Sequence, residues 1–208
     1  SALTVGNDVT ISGDLTVQGS DNLTLDGSVT GMGSLTKAGT GTLTLNGGNG
    51  FYGTYNVDGG RLVSSTAITL GEPSAINVAS GATLQLVAGA ATGQLNGAGS
   101  VQLDAGQLRV DEGTFSGALS GNGDLYKNGS GTLLLSGTSH LAGATTVAGG
   151  TLRVDGNLGN GSVWVENGAA LAGSGALGGG SDRGQRWPPQ PGRRFSADAR
   201  FAGTQRQL

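Results

Sequence analysis

The sequence predicts an all-β fold of the solenoid type, in which short strands stack coil upon coil. Three observations predict it: apolar and polar residues alternate over short runs, glycine and asparagine separate these runs, and one long segment occurs twice. Alternation indicates strands because successive side chains of a strand point to opposite faces. The separating residues tolerate positive φ or hydrogen-bond their own backbone, so each run is expected to end in a corner.

The alternating residues run through the first 180 positions. They are Val9 and Ile11, Leu15 and Val17, Leu23 and Leu25, Leu43 and Leu45, Ile76 and Val78, Leu84 and Leu86, Val101 and Leu103, Leu108 and Val110, Leu133 and Leu135, Leu152 and Val154, and Val163 and Val165. Corner strings such as "SGD", "NGG", "VDGG" and "ENGAA" lie between them. The sequence therefore predicts many short strands with small aliphatic side chains turned inward.

Composition restricts the architecture further. Of 208 residues, 43 are glycine and only 9 are aromatic, which leaves few rings to fill a globular core. The absence of a strict Gly-X-Y triplet excludes collagen. A spacing of about 8 to 12 residues between strands also fits a sandwich or barrel, but small side chains and a long repeat favour a solenoid.

The internal repeat is the strongest signal. Residues 31–62, "GMGSLTKAGTGTLTLNGGNGFYGTYNVDGGRL", align without a gap to 121–152, "GNGDLYKNGSGTLLLSGTSHLAGATTVAGGTL", with 15 of 32 positions identical. A coil of three strands takes about 20 to 25 residues, so 180 residues predict roughly 7 to 9 coils and a rod on the order of 35 to 45 Å long.

The repeated unit, "GxGxLxKxGxGTLxLxG…G…VxxGxL", closely resembles the autotransporter-associated β-strand repeat of type V secretion passenger domains. The resemblance covers residues 1–180 and implies a right-handed parallel β-helix that is exported and displayed on, or released from, the bacterial surface. It implies a non-enzymatic stem for surface display, adhesion or autoaggregation, with host-surface or self-association partners and no nucleic acid. The absence of cysteine agrees with passengers, which cross the outer membrane unfolded.

The sequence departs from that family pattern in lacking a signal peptide, a C-terminal membrane barrel and a recognisable catalytic module. The resemblance therefore predicts a fragment of a longer stem, attached to the membrane only through a missing barrel. Two alternatives remain open: a spacer of a secreted protease or esterase whose catalytic module lies outside this chain, and a β-helix of the polysaccharide lyase type.

The last 28 residues, 181–208, form an atypical Arg- and Pro-rich tail. Residues 1–180 carry 5 Lys or Arg and 12 Asp or Glu, a net charge of −7, whereas the tail carries 6 Arg and 2 Asp, a net charge of +4. One interpretation is a basic patch for an anionic ligand. Another is an out-of-frame end, because shifting the codons by one base permits "IVANGGRLSPG" for residues 182–192, again a strand and a corner.

His140 is the only histidine and the first candidate for catalysis. Ser136 and Ser139 are near in sequence, but no G-x-S-x-G elbow surrounds either serine. Gly50 occupies the matching position of the first copy, so His140 is predicted to be a corner residue.

The acids are scattered singly apart from Asp111 and Glu112, which with Arg109 come nearest to the clustered carboxylates of a glycan-cleaving site. This trio is predicted to lie in a solvated turn. "GNGDL" at 121–125 contains half of a calcium-binding nonapeptide, with Asp124 as its acid. Further acids that occur singly are Asp8, Asp14, Asp21, Asp26, Asp58, Asp104, Asp155 and Glu166.

Lys37 and Lys127 are the only lysines and occupy equivalent positions in the two copies. They are predicted to be outward charges that discourage edge association, with carbohydrate or anion contacts as the alternative. Six aromatic residues are predicted to cap or fill the interior, with stacking on sugars as the alternative: Trp164, Phe51, Tyr52, Tyr55, Phe115 and Tyr126. The sequence therefore predicts no catalytic residue, no cofactor and no metal ligand.

Overall fold

The computed structural model describes residues 2–177 and 194–195, and in this part of the chain every regular element is a β-strand. Because those residues contain no helix, they offer none that is long and apolar enough to cross a membrane. The all-β solenoid predicted from the sequence is confirmed, with stacked parallel coils that make about 9 turns.

The strands follow one another at short intervals along the chain. In order they are β1 (Ala2–Val5), β2 (Val9–Ile11), β3 (Leu15–Val17), β4 (Asn22–Leu25), β5 (Val29–Met32), β6 (Leu35–Lys37), β7 (Thr42–Leu45), β8 (Asn49–Val57), β9 (Arg61–Ser64), β10 (Ile68–Thr69), β11 (Gly71–Val78), β12 (Thr83–Leu86), β13 (Gly89–Gly97), β14 (Ser100–Leu103), β15 (Gln107–Phe115), β16 (Ala118–Gly121), β17 (Asp124–Lys127), β18 (Thr132–Leu135), β19 (Thr138–Leu141), β20 (Thr145–Val147), β21 (Thr151–Val154), β22 (Asn157–Gly159), β23 (Val163–Val165), β24 (Ala170–Ala172) and β25 (Arg194–Phe195).

Each coil contributes one strand segment to each of three faces. Face 1 is a nine-stranded parallel sheet, in the order β1-β4-β7-β9-β12-β14-β16-β19-β22. Face 2 follows β2, β5, β8, β10, β13, β15, β17, β20 and β23, and face 3 runs from β3 and β6 through the later halves of the long strands to β18, β21 and β24. Registered partners lie 17 to 22 residues apart, so the coils are somewhat shorter than predicted.

Four strands are longer than the short runs that the sequence predicted. Strands β8, β13 and β15 have nine residues and β11 has eight, because each continues around the corner between faces 2 and 3. In β8 and β15 the bend falls at Gly53 and Gly113, whose φ angles of 155° and 139° are rarely adopted by other residues. This corner therefore joins faces 2 and 3 into one 16-stranded sheet.

The core consists of inward columns, in which each side chain packs on its registered partner in the next coil. One column on face 1 passes from Leu23 to Leu43 and Leu62, and then to Leu84 and Val101. The last four of these side chains are completely buried. A fully buried Leu or Val contributes roughly 1.5 to 3 kcal/mol. Repetition of this contribution along each column stabilises the solenoid without a large globular core.

The two copies of the repeat lie on different faces. Lys37 ends β6 and pairs with Val57 on face 3, whereas Lys127 ends β17 and pairs with Val147 on face 2. Their local backbones nevertheless match: Gly39 and Gly129, 90 residues apart, have φ angles of 74° and 59°. The two copies therefore fold in the same way locally, but their corresponding strands lie on neighbouring faces of the solenoid.

The tail from residue 181 falls outside the described residues except for β25. Strand β25 pairs antiparallel with β23, with Arg194 opposite Trp164 and Phe195 opposite Val163. The interpretations of the tail as a basic patch or an out-of-frame end remain predictions.

Candidate functional site

His140 lies within β19 and not at a corner, which corrects the prediction from the sequence. Its side chain is exposed, whereas the neighbouring Ser139 and Leu141 point into the core. Ser139 is 2% exposed, and its Oγ accepts a hydrogen bond from the Leu119 backbone N–H at 3.0 Å. Alternation along one strand thus places the histidine and this serine on opposite sides of the sheet.

Replacement of His140 by alanine is expected to change the free energy of unfolding by less than about 0.5 kcal/mol, as for other exposed positions. Leu141→Ala is the matched control, because it removes a buried side chain from the next position and should cost about 2 to 5 kcal/mol. Urea unfolding monitored by circular dichroism measures both variants. A His140→Ala loss as large as that of the control would contradict the exposed placement.

Asp111, Glu112 and Arg109 lie in β15 and not in a turn, which corrects a second prediction. The Arg109 guanidinium stacks on the Tyr126 ring, 4.6 Å from its centroid, on the outside of face 2. Asp111 packs beneath Gly129, where an added Cβ would lie 2.7 Å from the Asp111 Cβ. Arg109 and Asp111 therefore contact the next coil on either side of Lys127, and within the described residues neither acid forms an ion pair with the arginine.

Several of the scattered acids join one coil to the next. The Asp8, Asp14 and Asp124 carboxylates each accept a hydrogen bond from a backbone N–H 20 residues later, at 2.8, 3.1 and 2.8 Å. The Asp155 carboxylate accepts a hydrogen bond from the Ser174 N–H, 19 residues later, at 3.1 Å and also forms an ion pair with Arg153. The side-chain hydrogen bond from Arg153 contributes most to lowering the Asp155 pKa. These acids satisfy corner backbone groups that the strand ladders leave unpaired.

Asp124 was also the candidate calcium ligand. It lies at the start of β17 with an exposed side chain, bonded to the Ala144 N–H. Within the described residues, no three His, Cys, Asp or Glu side chains come together as a group that could hold a metal ion.

Lys37 and Lys127 point inward, which corrects the prediction that they are outward charges. Their side chains are 2% and 0% exposed. The Lys37 Nζ donates to the carbonyl oxygens of Ala38 and Gly39 in its own corner, at 2.7 and 3.0 Å, and of Gly59 in the next coil, at 3.2 Å.

Lys127 repeats this arrangement. Its Nζ donates to the carbonyls of Asn128, Gly129 and Gly149, the latter two at 3.1 and 3.0 Å. All three ammonium protons thus have an acceptor, as a buried charge requires. We call each set, a lysine with its three carbonyls, a lysine clamp, because it ties one corner to the corner above it.

The inward direction could have been found from the sequence. In "LTK" at 35–37, Leu35 and Lys37 are two positions apart and share one side of the strand, so an inward leucine implies an inward lysine. The usual preference of lysine for solvent predicts the opposite direction, but strand parity outweighs it here. The acceptor carbonyls could not have been found in this way, because one of the three belongs to the next coil.

Burial changes the pKa values of the two clamp lysines. Desolvation lowers the pKa of Lys37 and of Lys127, and for Lys127 the nearby Asp111 and Glu112 partly oppose the lowering. Burial also raises the pKa of the core residue Tyr55 above its usual 10.0.

The stability of the protein is therefore expected to rise with pH between the lowered lysine pKa and the unfolded value of 10.5. In that interval the unfolded chain binds more protons than the folded chain, so raising the pH favours folding. Tyr55 has the opposite effect on stability. Above its unfolded pKa of 10.0 only the unfolded tyrosine ionises, so this group lowers the free energy of unfolding as the pH rises.

Urea midpoints measured from about pH 8 to 11 in the wild type and in Lys127→Met test this dependence. The variant should show a shallower rise. Identical slopes in the two proteins would show that Lys127 titrates normally in the folded state.

Outward polar side chains form ladders along the solenoid. On face 3, Asn77 donates to the Asn56 carboxamide at 2.9 Å, and Asn96 donates to Asn77 at 3.2 Å. On face 1, Arg61 donates to Gln85 at 2.6 Å, and Gln102 donates to Asp104 at 2.7 Å. These ladders present hydrogen-bonding groups to solvent on two faces.

The aromatic residues divide between the core and the surface. Tyr55 and Phe115 are completely buried, as predicted, and Phe115 is the registered partner of Gly97. Three others point outward, contrary to the prediction, and the side chain of Phe51 is outside the described part. The outward residues are Tyr52, which is 62% exposed, and the half-buried Tyr126 and Trp164.

Comparison with known protein families identifies a repeat family. The model of the passenger-associated-transport-repeat matches the chain twice, at residues 35–63 and 125–154. Each matched segment contains one complete lysine clamp, from the lysine to the glycine carbonyl in the next coil. Searches of curated proteins and of solved structures found no match.

Proposed function

We propose that this chain, which carries two passenger-associated transport repeats on a β-solenoid and fits an autotransporter passenger, is a non-enzymatic stem. The repeat implies export to the cell surface or extracellular space. On this proposal the stem stands outside a Gram-negative outer membrane, holds the parts beyond it away from the cell, and takes part in adhesion or autoaggregation.

One observation carries the proposal: the same inward packing continues through about nine coils, with each coil contacting chiefly its neighbours. At about 4.8 Å per strand, nine coils span roughly 40 Å. Length in such a body grows with every coil, whereas a globular domain gains little reach from added residues. This property suits a spacer.

Removal of one whole coil should leave a working stem. Deleting residues 23–42 puts Leu43 in the place of Leu23, its registered partner, and preserves every column. Deleting only residues 23–32 removes half a coil and displaces the strands that follow from their faces. The first variant should retain surface display and protease resistance, because nearest-neighbour packing is restored, and the second should lose both.

To measure display, the chain is fused between a secretion signal with an N-terminal epitope and an outer-membrane translocator. Antibody binding to intact cells then reports how much of each variant reaches the surface. Equal display of the two deletion variants would contradict the stem role.

Adhesion by this stem is proposed to be spread along its outward rows. Single replacements such as Thr10→Ala or Thr30→Ala, which are exposed neighbours on face 2, should each lower attachment of displaying cells less than about twofold, since surface contacts are individually weak. Abolition of attachment by one such change would contradict a distributed surface.

A further inference from the structure

Face 2 carries an outward column in its last four coils that combines aromatic and polar side chains. The register places Arg109 beside Tyr126, Tyr126 beside Thr146, and Thr146 beside Trp164. Each of these residues stands between two buried neighbours on its own strand, so all four point away from the core. We call this set the aromatic column.

The spacing of the column follows from the sheet itself. Tyr126 and Trp164 are two strands apart, which separates them by about 9 to 10 Å along the axis, with the Thr146 hydroxyl between them. Both rings and the threonine are half-buried, so part of each side chain remains in contact with solvent. Rings at a fixed separation on a sheet form a preorganised surface that loses little entropy on binding.

Arg109 adds an oriented donor at one end of the column. Its guanidinium lies 4.6 Å from the Tyr126 ring centroid, within the range of a cation–π contact. The side chain is exposed, and none of the described acids forms an ion pair with it. The stacked guanidinium therefore has N–H groups directed to solvent beside an aromatic ring.

Sugar chains match this combination of groups. A sugar ring presents C–H groups that pack against an aromatic side chain, and hydroxyls that bond with arginine and threonine. An extended glycan lying along the axis would place alternate rings at Tyr126 and Trp164.

Charge then selects among glycans. Residues 1–180, which contain the whole column, have a net charge of −7, and both lysines are buried in clamps, so this part of the chain repels a polyanion. We propose that the aromatic column binds an extended neutral glycan. This inference deepens the proposed adhesive role and rests on it, because it names the ligand class of the stem surface.

The test is affinity electrophoresis of the purified 208-residue protein through gels that contain a soluble neutral β-linked glucan or mannan, with polygalacturonate as the anionic comparison. Retardation by a neutral polymer is expected. Tyr126→Ala should bind about tenfold more weakly, as expected for the loss of one stacked ring. Tyr52→Ala is the matched control, because Tyr52 is an exposed aromatic residue outside the column.

Each outcome is decisive. Neutral-glycan retardation that Tyr126→Ala and Trp164→Ala weaken and Tyr52→Ala leaves intact supports the proposal. No retardation, retardation by polygalacturonate alone, or equal loss in Tyr52→Ala overturns it. Should Tyr126→Ala fail to fold by circular dichroism, Trp164→Ala and the conservative Tyr126→Phe carry the comparison. Binding is measured on purified protein and display on cells, so failure of the glycan site is distinguishable from failure of the stem.

Discussion

Replacement of Gly121 by alanine is expected to destabilise the solenoid by about 3 kcal/mol or more, because the new side chain meets both backbone strain and a steric clash. Gly121 ends β16 with a φ of 105°, in a region that side-chain-bearing residues rarely adopt. An added Cβ would lie 1.9 Å from the Leu103 carbonyl oxygen of the preceding coil. The neighbour is backbone held in a parallel ladder, so it cannot move aside without breaking registered pairs.

Gly13→Ala is the matched control for this prediction. Nothing lies within 4 Å of a Cβ at Gly13, and its φ is outside the positive region. This change should be neutral or stabilising by up to about 1 kcal/mol, since alanine restricts the unfolded chain. Urea unfolding of the two variants beside the wild type gives the comparison. Similar stability of Gly121→Ala and Gly13→Ala would mean that the coils of β14 and β16 do not approach as closely as described.

Replacement of Lys127 by alanine is expected to cost about 3 kcal/mol or more, because it leaves a cavity and removes the donor for three carbonyl oxygens. The side chain is completely buried and joins the corner at Asn128 and Gly129 to Gly149 in the next coil. Loss of the clamp should therefore loosen two coils together. Amide hydrogen exchange should be fastest in the residues around these two corners.

Lys127→Met separates packing from charge. Methionine fills most of the space of the lysine stem and does not bury a charge, so this variant should lose less stability than Lys127→Ala. An outward lysine would give a different pattern, with both variants close to the wild type. That result would restore the prediction from the sequence that these lysines are surface charges.

Much of the architecture was predictable because it rests on local rules. Leu43 and Leu45 predict an inward pair by parity alone, and the glycines between runs predict corners because few other residues adopt positive φ. The resemblance of the repeat to passenger repeats led to the family that the comparison then found. Failures arose where a general preference was trusted over parity, as for Lys37, or where a local string resembled a turn, as for Asp111 and Glu112 in β15.

The sequence by itself determined most of the strands and corners, the repeat and the approximate number of coils, since each depends on residues that are close together in the chain. Only the tertiary structure decided which face each strand occupies and which carbonyls receive the two lysines. The physical reason is that coils vary from 17 to 22 residues, so the position of a residue around the axis depends on every preceding corner. Two similar segments 90 residues apart consequently build the same clamp on different faces.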